Sequence, residues 1–577
     1  MFKNQPKGLY VLALANTGER FGYYTMLAIL LLFLQAKFGF STALAGTIYS
    51  TFLALVYFMP MIGGWIADKW NFQKTVTLGI VVMFLGYLVM SIPTPRGAVT
   101  SMIIMFVALL LISVGTGLFK GNLQVMVGDL YDDPRYSEKR DIAFSLFYMA
   151  INIGAMFAPQ VTVWLCETAL HANGLVYDGA IPSICNKIIA GETPTPEAMA
   201  TLTNFAPQGA NLHEFAETYM NTITTGYSYA FGVACLSMVL SFLIYKIGKS
   251  TYSNVADPKD KKAGSTAAAA PVKELTPEQT KSRITALLLV FAVVIFFWMV
   301  FHQNGATLTK FAEVFTMSES TGWTRIGFNI WALATIVVAV YAFFSLAQSK
   351  TAKGRIISAV VLAAAAGVIW YFYGITPETV TGIQPQVFQQ FNPFYVVALT
   401  PFSVALFGWL ANKKKEPSAP RKIGYGMLVA AFAFLVMCIG SIGLGVAPEQ
   451  GQGEHLVSPN LLIGTYLILT FAELLLSPMG ISFVSKVAPP KYKGAMMGCW
   501  FGATAIGNYL VLIPTLLWNS INVSILWAIL IVVCLISAGF IFFMMKRLEA
   551  ATADDTPAPT EDALETVEDD AIDLHKI

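Results

Sequence analysis

Residues 9–34 read LYVLALANTGERFGYYTMLAILLLFL, and the fold turns on the charged pair at the centre of this stretch. Taken as a helix, Asn16, Glu19, Arg20, Tyr23, Tyr24 and Leu27 are separated by steps of three or one, which keeps all six on one stripe. That stripe is mostly polar. The runs on either side, LYVLALA (9–15) and LAILLLFL (27–34), are hydrocarbon-like. The two charges therefore lie inside a span rather than at its end.

The whole chain has the same character. Of its 577 residues, 56% are hydrophobic and 12% charged, and the mean hydropathy is +0.63. These values lie far from those of soluble domains. Crossing a hydrocarbon core about 30 Å thick takes roughly 20 helical residues, and runs of that length recur. Alternating segments of barrel-strand length do not, so the expected class is an all-α membrane protein. The formal charge of +2 carries no nucleic-acid signal, and no basic face with interleaved aromatics is evident. No hydrolytic triad, phosphate-cradling glycine loop or metal motif appears, which disfavours an enzyme or an ATP-driven pump and predicts no cofactor or metal.

Apolar spans are expected near 9–35, 43–67, 74–92, 99–127, 142–166, 225–246, 283–304, 327–347, 354–373, 393–412, 423–446, 459–486, 493–518 and 521–546. The first reads as a retained span rather than a removable signal, because no small-residue cleavage site follows it. With the N-terminus inside, the inward loops are the basic ones: ADKWNFQK, DDPRYSEKRD, QSKTAKGR, NKKKEPSAPRK and APPKYKG. The outward stretch from Glu167 to Asn221 has Lys187 as its only lysine or arginine. Both termini are thus expected in the cytoplasm. The chain divides into a six-helix bundle (1–247), a linker (248–282) that reads as flexible with room for a surface helix, the first helix of a second bundle (283–326), an inserted pair (327–373), the rest of that bundle (374–548), and an acidic, disordered tail (549–577). Cys166 and Cys185 bracket a polar outer loop, so a disulfide and two free thiols are both open readings. Cys235, Cys438, Cys499 and Cys534 sit in apolar runs as small hydrophobes.

A charged side chain at a helix centre costs about 2.5 to 3.5 kcal/mol on insertion scales, so it faces a bundle interior or a wet cavity. Four qualify: Glu19, Arg20, Lys120 in GTGLFKGNLQ and Glu473 in LTFAELLLSPMG. Glu19 can satisfy Arg20 or Lys120. Glu473 has no cation nearby in its own helix, and looks to another helix or to a substrate. A basic cluster in one half and an acid in the other suit a zwitterion with separated charges. Two extended residues span roughly 7 Å and three roughly 10 Å, the reach of a di- or tripeptide. Arginine's fork fits a carboxylate, and Glu473 fits an ammonium group.

Several blocks sharpen this reading: GERFGYYTMLAILLLFL, YFMPMIGGWIADKW, GLFKGNLQVMVGDLY, FSLFYMAINIGAMFAP, FNPFYVVALTPF, AELLLSPMGISFVSKVAPPKYKGAMMGCWF and GNYL. In this order they resemble the signature blocks of the proton-dependent oligopeptide transporters of the major facilitator superfamily. FYMAIN and ELLLSPMG are the specific parts; GGWIADK is a general superfamily motif and here lacks its usual downstream glycine. The resemblance implies two six-helix bundles plus two extra helices, and proton-driven uptake of di- and tripeptides by alternating access. Carried across residue by residue, it implies that Arg20 and Lys120 flank the peptide carboxylate and that Glu19 links them to protonation. It also implies that Glu473 and Asn152 hold the amine with help from Asn392, and that Tyr23, Tyr24, Tyr57, Trp298, Trp500 and Ser477 line side-chain pockets. Ordinary helix packing is the alternative for each aromatic taken singly.

Three positions depart from the family pattern. Asn16 stands where E-x-x-E-R has its leading acid, and an amide carries no proton at accessible pH. Leu27 replaces an arginine of YYGMR. His302, in FWMVFHQNG, replaces an acid before the glutamine. That acid and that arginine resemble the partners of an ion pair between the halves, and losing both avoids stranding one charge. His302 is then either a coupling residue, since an imidazole titrates in the working range, or a neutral side chain satisfied by a neighbour. Proton coupling candidates are therefore Glu19, His302 and Glu473. The inserted pair falls between core helices 7 and 8, where many bacterial relatives place theirs between 6 and 7; it is either lipid-facing packing or an interaction surface. Ser50 follows Tyr49 where animal relatives have histidine, which points to a bacterial inner membrane. The expected partners are di- and tripeptides, protons and the bilayer. The rival readings are the same fold moving nitrate or another small organic solute, and a peptide sensor without transport.

Overall fold

The structure, a computed structural model, describes residues 5–131, 135–136, 140–253, 275–489 and 492–553. Among these, fourteen helices are long and apolar enough to cross a membrane, the number expected. The first bundle comprises α1 (Lys7–Phe38), α2 (Thr42–Lys69), α3 (Phe72–Ser91), α4 (Val99–Asp129), α5 (Arg140–Ala172) and α8 (Leu212–Ile247), with short helices α6 (Ile181–Ile189) and α7 (Pro196–Phe205) in the long outer connection. The second contains α9 (Pro277–Phe301) and its continuation α10 (Thr307–Val314), the inserted α11 (Ile330–Gln348) and α12 (Ala352–Ile375), then α13 (Phe391–Asn412), α14 (Ala419–Gly440), α15 (Asn460–Val487), α16 (Lys493–Leu510), α17 (Leu512–Leu517), α18 (Val523–Phe543) and α19 (Met545–Ala553).

Glycines set how closely these helices approach, since apolar chains gain little by meeting in lipid except through tight packing. On α1, a Cβ at Gly18 would lie 2.4 Å from Ser241 Oγ, and one at Gly22 would lie 2.7 Å from Ser237 Oγ, so α8 packs on the glycine face of α1, turned away from the stripe that carries Glu19. Ser241 Oγ donates to the Ala15 carbonyl at 2.9 Å. From the other side α5 presses in at Gly154, whose added Cβ would meet the Thr17 carbonyl oxygen at 2.4 Å. α1 ends at Gly39, where φ is +68° and the N–H caps the Gln35 carbonyl.

Burial separates into two clusters, one in each bundle. The first holds residues of α1–α8 with only Ala306 and Val511 from the second half. The other holds residues from α9 onward with only Met156 and Val163 from the first. Each bundle is thus a body with its own core. They meet where α2 packs on α16 and α17 and where α5 packs on α13. Leu27 is 6% exposed within the first core.

Sequence and structure differ in several places. α8 begins at Leu212 rather than near 225, because Asn211 caps the His213 and Glu214 amides and Phe215, Ala216, Tyr219 and Met220 carry a buried face beyond the apolar run. α6 and α7 are amphipathic and too short to read as spans. The seventh span is broken: His302–Gly305 forms a 3-10 turn and Ala306 adopts φ −119°, ψ −102°, before α10 resumes. A break of this kind is tolerated where it lies inside protein. α19 runs to Ala553, so the acidic tail starts later than 549; Glu549 accepts from Arg421 Nε at 2.7 Å and Ser418 Oγ at 2.6 Å. The remainder of the tail, and residues 254–274 of the linker with its suggested surface helix, lie outside the described residues. No disulfide joins Cys166 and Cys185: both are free and buried. Cys166 is packed under Gly226 of α8, while Cys185 belongs to the inward face of α6.

The inserted pair is a hairpin at the edge of the two bundles. Trp331 meets Phe157 of α5 at 5.6 Å between ring centroids, and Phe344 meets Phe402 of α13 at 4.7 Å. Ile356, Val360, Trp370 and Tyr371 on α12 are exposed, as a lipid-facing surface requires.

Two outcomes follow. Gly154→Ala forces a methyl onto a backbone carbonyl and is expected to destabilise the protein by about 1–3 kcal/mol, read as a lower thermal midpoint in detergent. Gly64→Ala, at a helical glycine with open space around it, should leave the midpoint unchanged. Burial pushes the Cys185 thiol up to about 12, so it is neutral at pH 8 and becomes a thiolate only as pH approaches that value. A membrane-impermeant maleimide at pH 7 to 8 should leave Cys185 unmodified in the folded protein and label it after denaturation.

Candidate functional site

Of the four charges singled out in the sequence, two pair with each other and, among the described residues, two do not. Arg20 is held by its own neighbour: Nε and Nη2 donate to the two oxygens of Glu19, each at 2.5 Å. Glu19 is fully buried and Arg20 is 3% exposed. The guanidinium also sits 4.7 Å over the Tyr23 ring. Lys120, on α4, forms no ion pair among the described residues; its Nζ lies 3.8 Å over the Tyr57 ring. A cation over an aromatic face is only partly compensated. With Arg20 and Glu19, Lys120 makes a group of one acid and two bases, in which it is the base without a carboxylate partner among the described residues.

Glu473 faces this cluster from the other bundle. Asn392 Nδ2 of α13 donates to its Oε2 at 2.9 Å, and the Tyr148 hydroxyl of α5 donates to its Oε1 at 3.1 Å. Neither donor is charged, and no cation pairs with Glu473 among the described residues. Asn392 also donates to Thr470 Oγ1 at 3.0 Å, which fixes its amide. Asn152 follows Tyr148 by one turn and its Nδ2 returns to the Tyr148 carbonyl at 3.0 Å. Ser477, one turn beyond Glu473, has a buried hydroxyl without a partner.

The aromatic candidates divide. Tyr23 is 2% exposed and stacks on Phe52 in the first core. Trp500 is 3% exposed, under Gly480 and against Phe291 in the second. Both are buried in this conformation. Tyr24, Tyr57 and Trp298 are half-buried. Tyr24 meets Tyr23 edge-on at 5.3 Å, and the Tyr57 ring lies under the Lys120 ammonium.

His302 sits where the seventh span breaks. Its Nδ1 is 2.6 Å from Asn508 Oδ1, its ring stacks on Trp298 at 5.0 Å, and Tyr57 lies 6.2 Å away across the bundle boundary. With Asn508 Oδ1 as acceptor, Nδ1 carries the proton, leaving Nε2 free of that bond. The indole N–H of Trp298 and the Asn508 Nδ2 are buried without partners, as is Asn16 Nδ2.

Sequence reasoning gave no role to Tyr148, Asn508 or Thr470. Tyr148 and Asn508 lie within quoted blocks, FYMAIN and GNYL, and Tyr148 stands four residues before Asn152, on the same helical stripe. That spacing was the available signal. Thr470 had the equivalent signal, three residues before Glu473.

Known proteins place the chain. A dipeptide and tripeptide permease B of Photorhabdus asymbiotica is 26% identical over 516 residues, covering 86% of this chain and 84% of that one. The transporter YclF of Bacillus subtilis, of uncharacterised function, is 27% identical over 532 residues, covering 87% and 85%. A solved peptide transporter POT in complex with alafosfalin superposes with a TM-score of 0.64 at 22% identity, covering 96% of each chain, and so shares the fold. The profile of the POT family (PTR2) matches residues 73–272 and 356–528. That match spans well over half of the sequence, and the chain belongs to the POT family of membrane transporters, with the major facilitator fold and no enzymatic role.

Proposed function

We propose that the protein is a proton-coupled importer of di- and tripeptides that works by alternating access between its two bundles. The observation that carries this reading is Glu473: a carboxyl group 8% exposed, held only by the neutral donors Asn392 and Tyr148 among the described residues, with the bases Arg20 and Lys120 in the other bundle. An ionised group in low dielectric needs a counter-charge. A peptide ammonium supplies one at Glu473, and the peptide carboxylate supplies the other at Lys120, with Arg20 behind it. A simple anion such as nitrate would satisfy Lys120 and be repelled by Glu473. Tyr24, Tyr57 and Trp298 offer half-buried faces for the side chains between the charged ends.

Glu473 and Glu19 are carboxylates able to exchange protons, and His302 is the third candidate for coupling. The relatives with permease names are bacterial, and the charge of the loops supports an inner-membrane protein with both termini in the cytoplasm.

Reconstitution in proteoliposomes tests the reading. A labelled dipeptide should accumulate against its gradient when the outside is made acidic, and fail to do so without a proton gradient. Binding without accumulation would support the sensor instead. Glu473→Gln removes a charge-assisted bond worth about 1.5–3 kcal/mol, which corresponds to roughly ten- to hundredfold weaker peptide binding; equal affinity in the variant would sink the proposed amine site.

His302→Ala separates coupling from binding. It should lower gradient-driven accumulation while peptide exchange across the membrane at equal pH persists. Full accumulation in that variant would count against a coupling role and leave His302 as a packing residue.

A further inference from the structure

At the end of the molecule that the loop charges assign to the outside, two connections meet across the bundle boundary. One is the segment 173–192 that contains α6, and the other is the loop 441–459 between α14 and α15. The Gly451 N–H donates to Ser183 Oγ at 2.7 Å. Lys187 Nζ lies 3.1 Å from Glu449 Oε2. A Cβ at Gly179 would stand 3.1 Å from both Gln452 Nε2 and the Glu313 carbonyl oxygen, so the backbone there is pressed onto the second bundle. Gly451 adopts φ +73°, the turn that presents its N–H to the serine.

Each side is fastened to its own bundle and moves with it. On the first, Ile181, Ile184 and Cys185 are buried. Asn186 donates to the Gln35 carbonyl at 3.1 Å and accepts from Arg96, and the Tyr219 hydroxyl donates to the Val176 carbonyl at 3.2 Å. On the second, Gly453 and Val457 donate to the Val314 and Phe315 carbonyls at 2.9 and 2.8 Å. Val523 donates to the Gly445 carbonyl at 3.0 Å, and Asn519 bonds the Ala447 and Pro448 carbonyls. Separation of the two bundles at this end therefore falls directly on the contacts between the two connections.

Lys187 is shared. Besides Glu449 it meets Glu192 of its own segment at 2.9 Å, and these two carboxylates hold its ammonium above the usual lysine range. When the bundles part, Glu449 leaves and Glu192 stays, so neither opening nor closing strands the lysine. The side chains are partly exposed, 27% for Lys187 and 73% for Glu449, which keeps the contact weak and reversible.

Resting on the alternating-access reading above, we propose that the α6 segment and the 441–459 loop form a latch that fastens the outer ends of the two bundles in this conformation. Ser183 and Gly451 are its fixed contact and the Lys187 exchange between Glu192 and Glu449 its release. Spin labels at Val176 and Ile442, both exposed and on opposite sides of the latch, read it without any substrate. In nanodiscs the double variant Ser183→Ala, Lys187→Ala should raise the long-distance population by about three- to fivefold, the range open to a weak exposed pair and one hydrogen bond. Glu449→Gln should give a smaller rise. In proteoliposomes, a Lys187→Cys, Glu449→Cys pair joined by a cleavable thiol linker should lose peptide uptake and regain it when the linker is cut. A linked protein with undiminished uptake, or an unchanged distance distribution in the double variant, overturns the latch. A distance shift in a protein that takes up no peptide would uphold the latch and overturn the peptide reading.

Discussion

The site is organised by a carboxylate that the protein declines to neutralise. Glu473 is nearly buried, yet its two oxygens receive only a tyrosine hydroxyl and an amide. Neutral donors orient an ionised group without cancelling its charge. Arg20, by contrast, is matched by Glu19 at once and on the same helix. Among the described residues, the groups left without a counter-charge are thus an acid, Glu473, in one bundle and a base, Lys120, in the other. The Tyr148 hydroxyl comes from the first bundle and the Asn392 amide from the second, so the hold on Glu473 itself spans the boundary between them.

That boundary exists because the apolar clusters are separate. Had the cores merged, relative motion would have disrupted dense packing, which deforms little before it breaks. Here few buried hydrophobic side chains of either half enter the other's cluster. Tight packing is reserved for contacts inside a bundle, such as Gly18 and Gly22 of α1 against α8. The break at His302–Gly305 lies where α9 meets the first bundle: a Cβ at Gly305 would sit 1.9 Å from the Tyr49 hydroxyl oxygen. The chain thus passes close to its neighbour at that point only because glycine has no side chain.

Much of this was legible in the sequence for a simple reason. Spans are long, compositionally extreme and paced by membrane thickness, so all fourteen could be found. Charged residues inside them announce a polar interior because lipid would not tolerate them. What could not be read depended on geometry outside that constraint. The outer helices α6 and α7 are short and obey ordinary amphipathic rules, and a run from Glu167 to Asn221 with turn residues and one lysine looked like loop. The cysteines bracketing that run look paired on a linear map, but one lies on a spanning helix and the other on the inward face of α6. The aromatics could not be sorted either: Tyr23 and Tyr24 are adjacent in sequence, and a rotation of one residue around α1 places the first in a core and leaves the second half-buried. Tyr148 was hidden in a block already recognised, because its role follows from a partner 325 residues away.

Of the positions that depart from the family pattern, Leu27 is in the first core, and His302 turns its Nδ1 to Asn508 within its own bundle. Between described residues, no ion pair joins the two bundles inside the membrane; the joining contacts there are single hydrogen bonds, such as the Gln389 amide on the Ala28 carbonyl at 3.1 Å and the Tyr148 hydroxyl on Glu473. Parting a buried ion pair would expose two charges to low dielectric, at a cost of several kcal/mol per ion, whereas a single hydrogen bond parts more easily. An ion pair that does join the bundles stands at the rim, where Lys187 meets Glu449 and water can take over each partner. An exposed ionic contact of this kind is weak and loses strength with added salt.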